Sequence, residues 1–347
     1  ILPARLNRYD TSWLDSAMQA SDLLWGGCHS QKIYFCFEED FALLRPLAAS
    51  IENNEQMLAD PEKPTFLKIL FSDAKGRYDF KTLVKKTDLP ASQVMDEIWK
   101  AVWEGGLSNT TWMALRKGIE SKFSLPDSML DRHDGPSLGQ RARHSASARH
   151  VRRRFRKQKT GPGQAGQWYQ LPSAPEEDLD LVERAELEKE RARLLLDRYG
   201  ILFREILLKE SSSFQWKRVF RALRSMELSG EIVSGYFFKE IPGPQFMSHS
   251  GFQLLKHFSP AGEVFWINAQ DPASMCGLPL QALKQTLPNR LPGNHLVYNG
   301  SCLVLTSLRH GNELIFNVDS DDADIPAYLG VLRHLLSRQF CPLKKIT

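Results

Sequence analysis

Residues 141–159, RARHSASARHVRRRFRKQK, hold nine Lys and Arg and no acid. A run of this kind cannot bury enough apolar surface to join a core. Compact structure is therefore expected on either side of it rather than through it. Taking those nine from the 45 Lys and Arg leaves 36 basic residues against 41 acidic ones, so the rest of the chain carries −5 while the whole carries +4. The charge is concentrated in one segment. As a solvated linker the segment needs no partner. As a contact it attracts phosphate by counterion release without reading sequence.

Composition excludes several classes. With 347 residues, 42% hydrophobic and 25% charged, the chain is ordinary for two to three globular domains. No stretch approaches about 18 consecutive apolar residues, which argues against a membrane helix. Neither a charged leader nor a signal-type apolar core is present, so a cytoplasmic, nucleoid-associated location is expected. Ile1 opens the chain without an initiator Met and suggests a fragment or trimmed piece. The five cysteines (28, 36, 276, 302, 341) form no CxxC pair, which favours free thiols over a zinc site or disulfides.

Periodicity divides the chain further. Residues 1–60 mix strand-like pieces, Asp22–Trp25 and Lys32–Phe37, with polar stretches, and read as the end of a preceding module. In 61–125, Thr65–Phe71 and Phe80–Lys86 suit two helices, and a third follows Pro90. There Val94, Ile98, Ala101 and Val102 share one face, and Gly105-Gly106 ends the helix. A strand or wing at Leu107–Trp112 completes a winged-helix pattern. This helix presents Asp96 and Lys100 with Trp99 and Trp103 nearby, which points to protein contact rather than DNA.

Residues 126–166 read as a basic flexible linker. Within it GPGQAG (161–166) matches GxGxxG but lacks the strand-turn-helix context of a dinucleotide site. Residues 167–247 read as a second winged helix. A strand is expected at Gln167–Leu171. A helix with acids at its start (Glu176, Glu177, Asp178) stops at Gly200. A second helix is expected at Ile201–Lys209, an N-cap at Ser211–Ser213, a third helix at Phe214–Met226, and wing strands around Pro242-Gly243-Pro244. On the third helix Trp216, Val219, Phe220, Leu223 and Met226 form an apolar back. Lys217, Arg218, Arg221 and Ser225 form a basic front suited to phosphates or base edges. The alternative is a solvated face on a core helix.

Residues 248–347 read as a β-rich module. Glu263–Asn268 is an apolar run. His295–Tyr298, Asn299-Gly300 and Ser301–Thr306 signal a hairpin with a type I′ turn, and Glu313–Val318 is a third strand. Asp319, Asp321, Asp322 and Asp324 precede a helix at Ile325–Ser337; they suit a cap and a solvated loop better than a metal. His249 and His257 frame a helix. Leu343–Thr347 begins a strand at the chain's end, and truncation is expected there.

Certain stretches resemble a known family. Gly166-Gln167-Trp168-Tyr169-Gln170-Leu171-Pro172, Arg198-Tyr199-Gly200-Ile201-Leu202-Phe203-Arg204-Glu205, Gly235-Tyr236-Phe237, Gly243-Pro244-Gln245-Phe246 and Asp271-Pro272-Ala273 occur in that order. Together they resemble the C-terminal region of the bacterial large helicase-related (Lhr) family. Ile1-Leu2-Pro3-Ala4-Arg5 and the first winged helix look like that family too. The resemblance implies an α+β architecture: tandem winged-helix domains followed by a β-barrel-like module. It also implies similarity to AlkZ-type winged-helix DNA glycosylases, a DNA-repair role and uracil excision. It gives a helicase core as partner within a full-length ATP-dependent helicase. Ser274-Met275 stands where the family usually has Asn-Pro, and the family's chain runs on past Lys344–Thr347.

No Walker A motif occurs, so ATP hydrolysis is not expected of this chain and no cofactor is implied. Base excision needs an extruded base and a group that positions water or stabilises the developing sugar cation. Asp271 and Gln245 match the family pattern and are the catalytic candidates; Asp271 as an Asx turn and Gln245 as a strand-loop hydrogen bonder are the alternatives. DNA-binding candidates are Lys217, Arg218, Arg221 and Ser225 with Arg152, Arg153, Arg154, Arg156 and Lys157. Three classes follow: a nucleic-acid-binding region acting on single-stranded or forked DNA, a glycosylase fragment, and an assembly module forming homo-oligomers. None needs a membrane.

Overall fold

A computed structural model describes residues 2–6, 9–28, 31–45, 66–71, 73, 75–87, 89–124, 165–172, 179–257 and 262–333. The chain opens with the helical turn α1 (Leu2–Arg5) and the helix α2 (Thr11–Ala20). The boundary between two units falls inside α2: residues 14–174 form one, and residues 1–13 with 175–347 form the other.

The unit of residues 14–174 begins with the antiparallel hairpin β1 (Leu23–Cys28) and β2 (Lys32–Phe37), followed by the turn α3 (Phe41–Leu44). Next come α4 (Phe66–Leu70), β3 (Arg77–Tyr78), α5 (Phe80–Thr87), α6 (Ala91–Trp103), β4 (Leu107–Asn109), α7 (Trp112–Glu120) and β5 (Trp168–Gln170). The three helices expected for the first winged helix are α4, α5 and α6. Val94, Ile98, Ala101 and Val102 are buried on one face of α6, as the spacing predicts. Gly105, at φ +78°, follows its end.

Three features of this unit differ from the local signals. The strand at 168–170 does not join the second winged helix. It enters between β3 and β4, pairing Trp168 with Tyr78 and Asn109, in a sheet ordered β3-β5-β4. Trp168 is fully buried and stands edge-to-face to Trp99 at 5.4 Å, so burial of one large ring decides where the strand goes. Gly166 helps it enter: at φ +70°, a Cβ there would lie 2.3 Å from Asn109 Oδ1. Second, the hairpin β1–β2 is not separate from this core. Trp25 on β1 is fully buried in it, and a Cβ on Gly27 would collide with the Val102 carbonyl oxygen. Third, Trp99 is not an outer-face residue. It is 2% exposed, stacked on Trp103 and packed edge-on by Phe123.

In the other unit, α8 (Leu181–Tyr199) starts with a capping box: the Asp180 side chain accepts from the Val182 and Glu183 N–H groups, and Glu183 returns to the Asp180 N–H. Gly200, at φ +72°, ends it. The run 201–209 is not an α-helix. It gives β6 (Ile201–Leu202) and a 3₁₀ segment, Arg204–Lys209. Buried residues at 202, 203, 206 and 207 make a pattern too short to separate the helical period from the others. Ser212–Phe214 form another 3₁₀ turn. The next helix, α9 (Trp216–Leu228), has Gln215 rather than a serine at its N-cap, with no side-chain cap bond. β7 (Ile232–Gly235) and β8 (Gln245–Ser248) form the wing in a sheet ordered β6-β8-β7, and α10 (His249–His257) runs between the two histidines, as expected.

The remaining residues give β9 (Val264–Asn268), α11 (Gln281–Thr286), β10 (His295–Asn299), β11 (Cys302–Leu308), β12 (Glu313–Phe316) and α12 (Ile325–Gly330). The four strands form an antiparallel meander, β12-β11-β10-β9. Among the described residues this sheet does not close into a barrel. One face packs Trp266, Val297 and Leu305 under Tyr328 and Leu332. The hairpin Asn299↔Cys302 has Gly300 at φ +59° as its first loop residue, and Ser301 is not left-handed, which is the type II′ pattern rather than I′.

Among the described residues no group of His, Cys, Asp and Glu suits a metal ion, and no helix is long and apolar enough to cross a membrane. Cys28, Cys36 and Cys276 are buried and Cys302 is exposed, all as free thiols.

Candidate nucleic-acid interface

Helix α9 separates its two faces by sequence spacing alone. Val219, Ala222, Leu223 and Met226 are buried. Trp216 and Phe220 pack with Phe246 of β8, at ring distances of 5.4 to 6.4 Å. Full burial of side chains like Val219, Leu223 and Met226 stabilises by about 1.5–3 kcal/mol each, which fixes the helix against the sheet.

The opposite face is less uniform than its sequence suggests. Lys217, Arg221 and Ser225 are exposed, and among the described residues Lys217 and Arg221 have neither an ion pair nor a hydrogen bond. Arg218 is different. Its guanidinium lies 3.4 Å from Glu188 of α8, and Glu188 also takes the fully buried Arg191 at 3.2 Å. Arg224, which the sequence reading passed over, pairs with Glu227, and Glu227 accepts from the Ser234 hydroxyl on β7. The front thus offers two cations, Lys217 and Arg221, with Ser225 between positions already committed to protein contacts. Arg152, Arg153, Arg154, Arg156 and Lys157 lie outside the described residues.

The wing is braced from inside. Gln245, at the start of β8, is fully buried. Its amide oxygen accepts from the Phe238 N–H at 2.8 Å, and its amide nitrogen donates to the carbonyls of Phe238 at 2.8 Å and Ile241 at 3.1 Å. All of these bonds close the loop between β7 and β8. The Gln245 side chain sits where a strand-loop hydrogen bonder would sit.

Asp271 lies in the turn after β9 and shares no hydrogen-bond partner with Gln245. It is fully buried. Arg5 of α1 binds both its carboxylate oxygens, the Nη2 contact at 2.7 Å, and Oδ1 also accepts from the Ala273 N–H at 2.8 Å. Burial works to raise this carboxyl. The Arg5 hydrogen bond, the Ala273 N–H and the Arg5 charge outweigh it and hold Asp271 below the usual carboxylate range. The surrounding turn is gripped twice more. Lys209 donates to the carbonyls of Pro272 at 2.7 Å and Ser274 at 2.9 Å. Arg290 donates to those of Gln270 at 3.0 Å and Asp271 at 3.2 Å. Burial, aided by the Arg290 charge, pushes the Lys209 amine down to about 8. Sequence reasoning missed Arg5, Lys209 and Arg290 as a set, because Arg5 meets a residue 266 positions away and the other two bind main chain, which has no side-chain signature.

Chemically, the exposed face of α9 can bind phosphate, while Gln245 and Asp271 are engaged within the fold. Comparison with known proteins agrees with the winged-helix assignment. Residues 182–265, from α8 into β9, match the family described as large helicase-related protein, winged-helix domain. The chain is 25% identical over 362 residues to the Lhr helicase/uracil glycosylase of Escherichia coli (strain K12), an alignment covering 98% of this chain and 22% of that protein. It is 23% identical over 355 residues to the Lhr helicase/ probable uracil glycosylase of Mycolicibacterium smegmatis, covering 97% of this chain and 22% of the relative. The chain thus spans about a fifth of the length of these relatives. The resemblance to the C-terminal region of the large helicase-related family, read from the motifs, is borne out over nearly the whole chain.

Proposed function

We propose that this chain is a DNA-binding region of a large helicase-related protein, working beside a helicase core and taking single-stranded or forked DNA. The observation that carries this reading is the exposed face of α9, where Lys217 and Arg221 have no protein partner among the described residues. Surface cations placed on the third helix of a winged helix are placed for phosphate. Ser225 adds a hydrogen-bonding hydroxyl, and Arg152, Arg153, Arg154, Arg156 and Lys157 add sequence-independent attraction. Arg218 contributes less, because Glu188 already neutralises it. The nucleoid is the location that goes with this activity. The test is DNA affinity measured from about 50 to 200 mM salt. The expected result is a steep fall, with about 0.7 (single strand) to 0.9 (duplex) lost from the log–log slope for each phosphate-bound cation removed. A flat salt response rejects the reading.

The relatives' names favour a second reading, excision of uracil. In that reading Asp271 or Gln245 supplies the chemistry. The engagement of every polar atom named above supports an architectural role for both instead. Single-turnover incubation with uracil-containing single strands, followed by alkali cleavage, separates the two. A product that persists in a folded Asp271→Asn variant removes Asp271 from the chemistry, and absence of product from the unaltered chain removes the reading for this region.

A further inference from the structure

We propose that Tyr236 in the second wing is a stacking platform for one unpaired nucleobase; this rests on the DNA-binding reading and specifies the strand it prefers. Three aromatic residues follow Gly235 in succession, and they have different fates. Phe237 turns inward to Phe252 of α10, with ring centroids 6.5 Å apart. Phe238 packs edge-on against Phe203 at 6.0 Å. Tyr236, between Gly235 and these anchored rings, is 85% exposed and has no ring or hydrogen-bond partner among the described residues.

The exposure does not come from a loose loop. Gly235 pairs with Gln245 across the wing, and the Gln245 side chain ties both main-chain groups of Phe238. The Arg224–Glu227–Ser234 chain of contacts fastens β7 to α9. The ring is therefore held out on a braced support, and little ordering is left to be done when something stacks on it. Its surroundings identify the occupant. An apolar protein surface would need a contiguous patch, but in the wing Ser234, Lys239 and Glu240 are exposed and polar, and Phe238, though 43% exposed, already has its ring against Phe203. The same winged helix offers Lys217 and Arg221 to phosphate. An exposed, unstacked ring on a winged helix that also presents cations suits a base on a charged backbone, and a base in a duplex has no free face to give. The ligand class is single-stranded nucleic acid or the unpaired arm of a fork.

The test uses the full chain with a fluorescein-labelled single strand and a duplex of the same length, titrated by anisotropy at several salt concentrations. Tyr236→Ala is expected to weaken single-strand binding by about 5- to 150-fold, the range for losing one stacked base. Duplex affinity and the salt slope are expected to stay within about twofold, because the slope counts phosphates. Tyr236→Trp is expected to restore single-strand binding. A 2-aminopurine placed along the strand is expected to be quenched by the unaltered chain and not by Tyr236→Ala. Equal single-strand affinity in Tyr236→Ala, or an equal loss on both DNAs, overturns the stacking role while leaving DNA binding intact. If the unaltered chain shows no salt-sensitive binding, the DNA-binding reading falls and this inference falls with it. Because the ring is exposed, the variant is expected to unfold at the same denaturant concentration as the parent.

Discussion

The strands β3, β4 and β5 in the unit of residues 14–174 correspond in order to β6, β7 and β8 of the winged helix in the other unit. In each sheet the last strand to arrive takes the middle place. The helices α6 and α9 occupy equivalent positions before β4 and β7. The difference lies in what each leaves to water. Helix α6 buries six residues and presents Asp96 and Lys100, with Lys100 only 3.9 Å from Glu97. Helix α9 buries four and leaves Lys217 and Arg221 without a partner among the described residues. The connections differ as well. Residues 236–244 link β7 to β8, whereas α7 and the whole basic run lie between β4 and β5. One plan therefore places its positive charge on the helix in one copy and in the wing connection in the other.

The largest effect that could break this correspondence is on Trp168. Trp168→Ala is expected to cost about 3–5 kcal/mol, seen in chemical denaturation as loss of the transition belonging to residues 14–174. If the transition of the other unit moves instead, β5 belongs to that unit. Next comes the turn after β9. Asp271→Asn is expected to lower stability by about 2 kcal/mol, the range for a hydrogen bond to a charged group, without moving the transition of residues 14–174. Because the folded Asp271 lies below its unfolded value of 3.8, its contribution is present above that value and is lost as pH falls through the folded one. Stability of the parent and of Asp271→Asn measured between pH 7 and pH 2 is expected to converge.

The contrast between the two helices gives the third test. Lys217→Ala with Arg221→Ala is expected to reduce the salt slope of DNA binding by about 2, whereas Lys100→Ala on α6 leaves it unchanged. Equal effects from both helices would erase the difference between them. The smallest effect is that of Lys209. Its folded amine titrates near 8 rather than 10.5, so the unfolded chain binds more protons between those values and stability rises with pH there. Lys209→Met is expected to flatten that rise, read as the denaturation midpoint of the second unit from pH 8 to 10.5.

What the sequence made legible follows from the range of each interaction. The two faces of α9 and the buried set of α6 are local repeats at 3.6 residues, so spacing alone placed them. The hairpin β10–β11 was equally local, and only its turn type differed, because one position shift of Gly300 changes which loop residue is left-handed. By contrast, β5 is strand-like by itself but carries nothing that says it will pair with residues 59 to 92 positions earlier. The run 201–209 was too short for its period to be told. On the exposed face of α9, the residue types at 217, 218 and 221 were equally basic. Only Glu188, on a different helix, separates Arg218 from the others.

The pairing of β5 also changes what a cut in the chain would do. Asn109 Nδ2 donates to the Ala165 carbonyl, the Thr110 N–H donates to the Gln167 carbonyl, and Gln167 N–H returns to Thr110 Oγ1. Trp168 is sealed in the core just beyond. Trypsin acting at the arginines of 141–159 would therefore sever the polypeptide without parting its halves. The unit of residues 14–174 would survive as a two-chain complex, with the second fragment supplying the central strand of the first fragment's sheet.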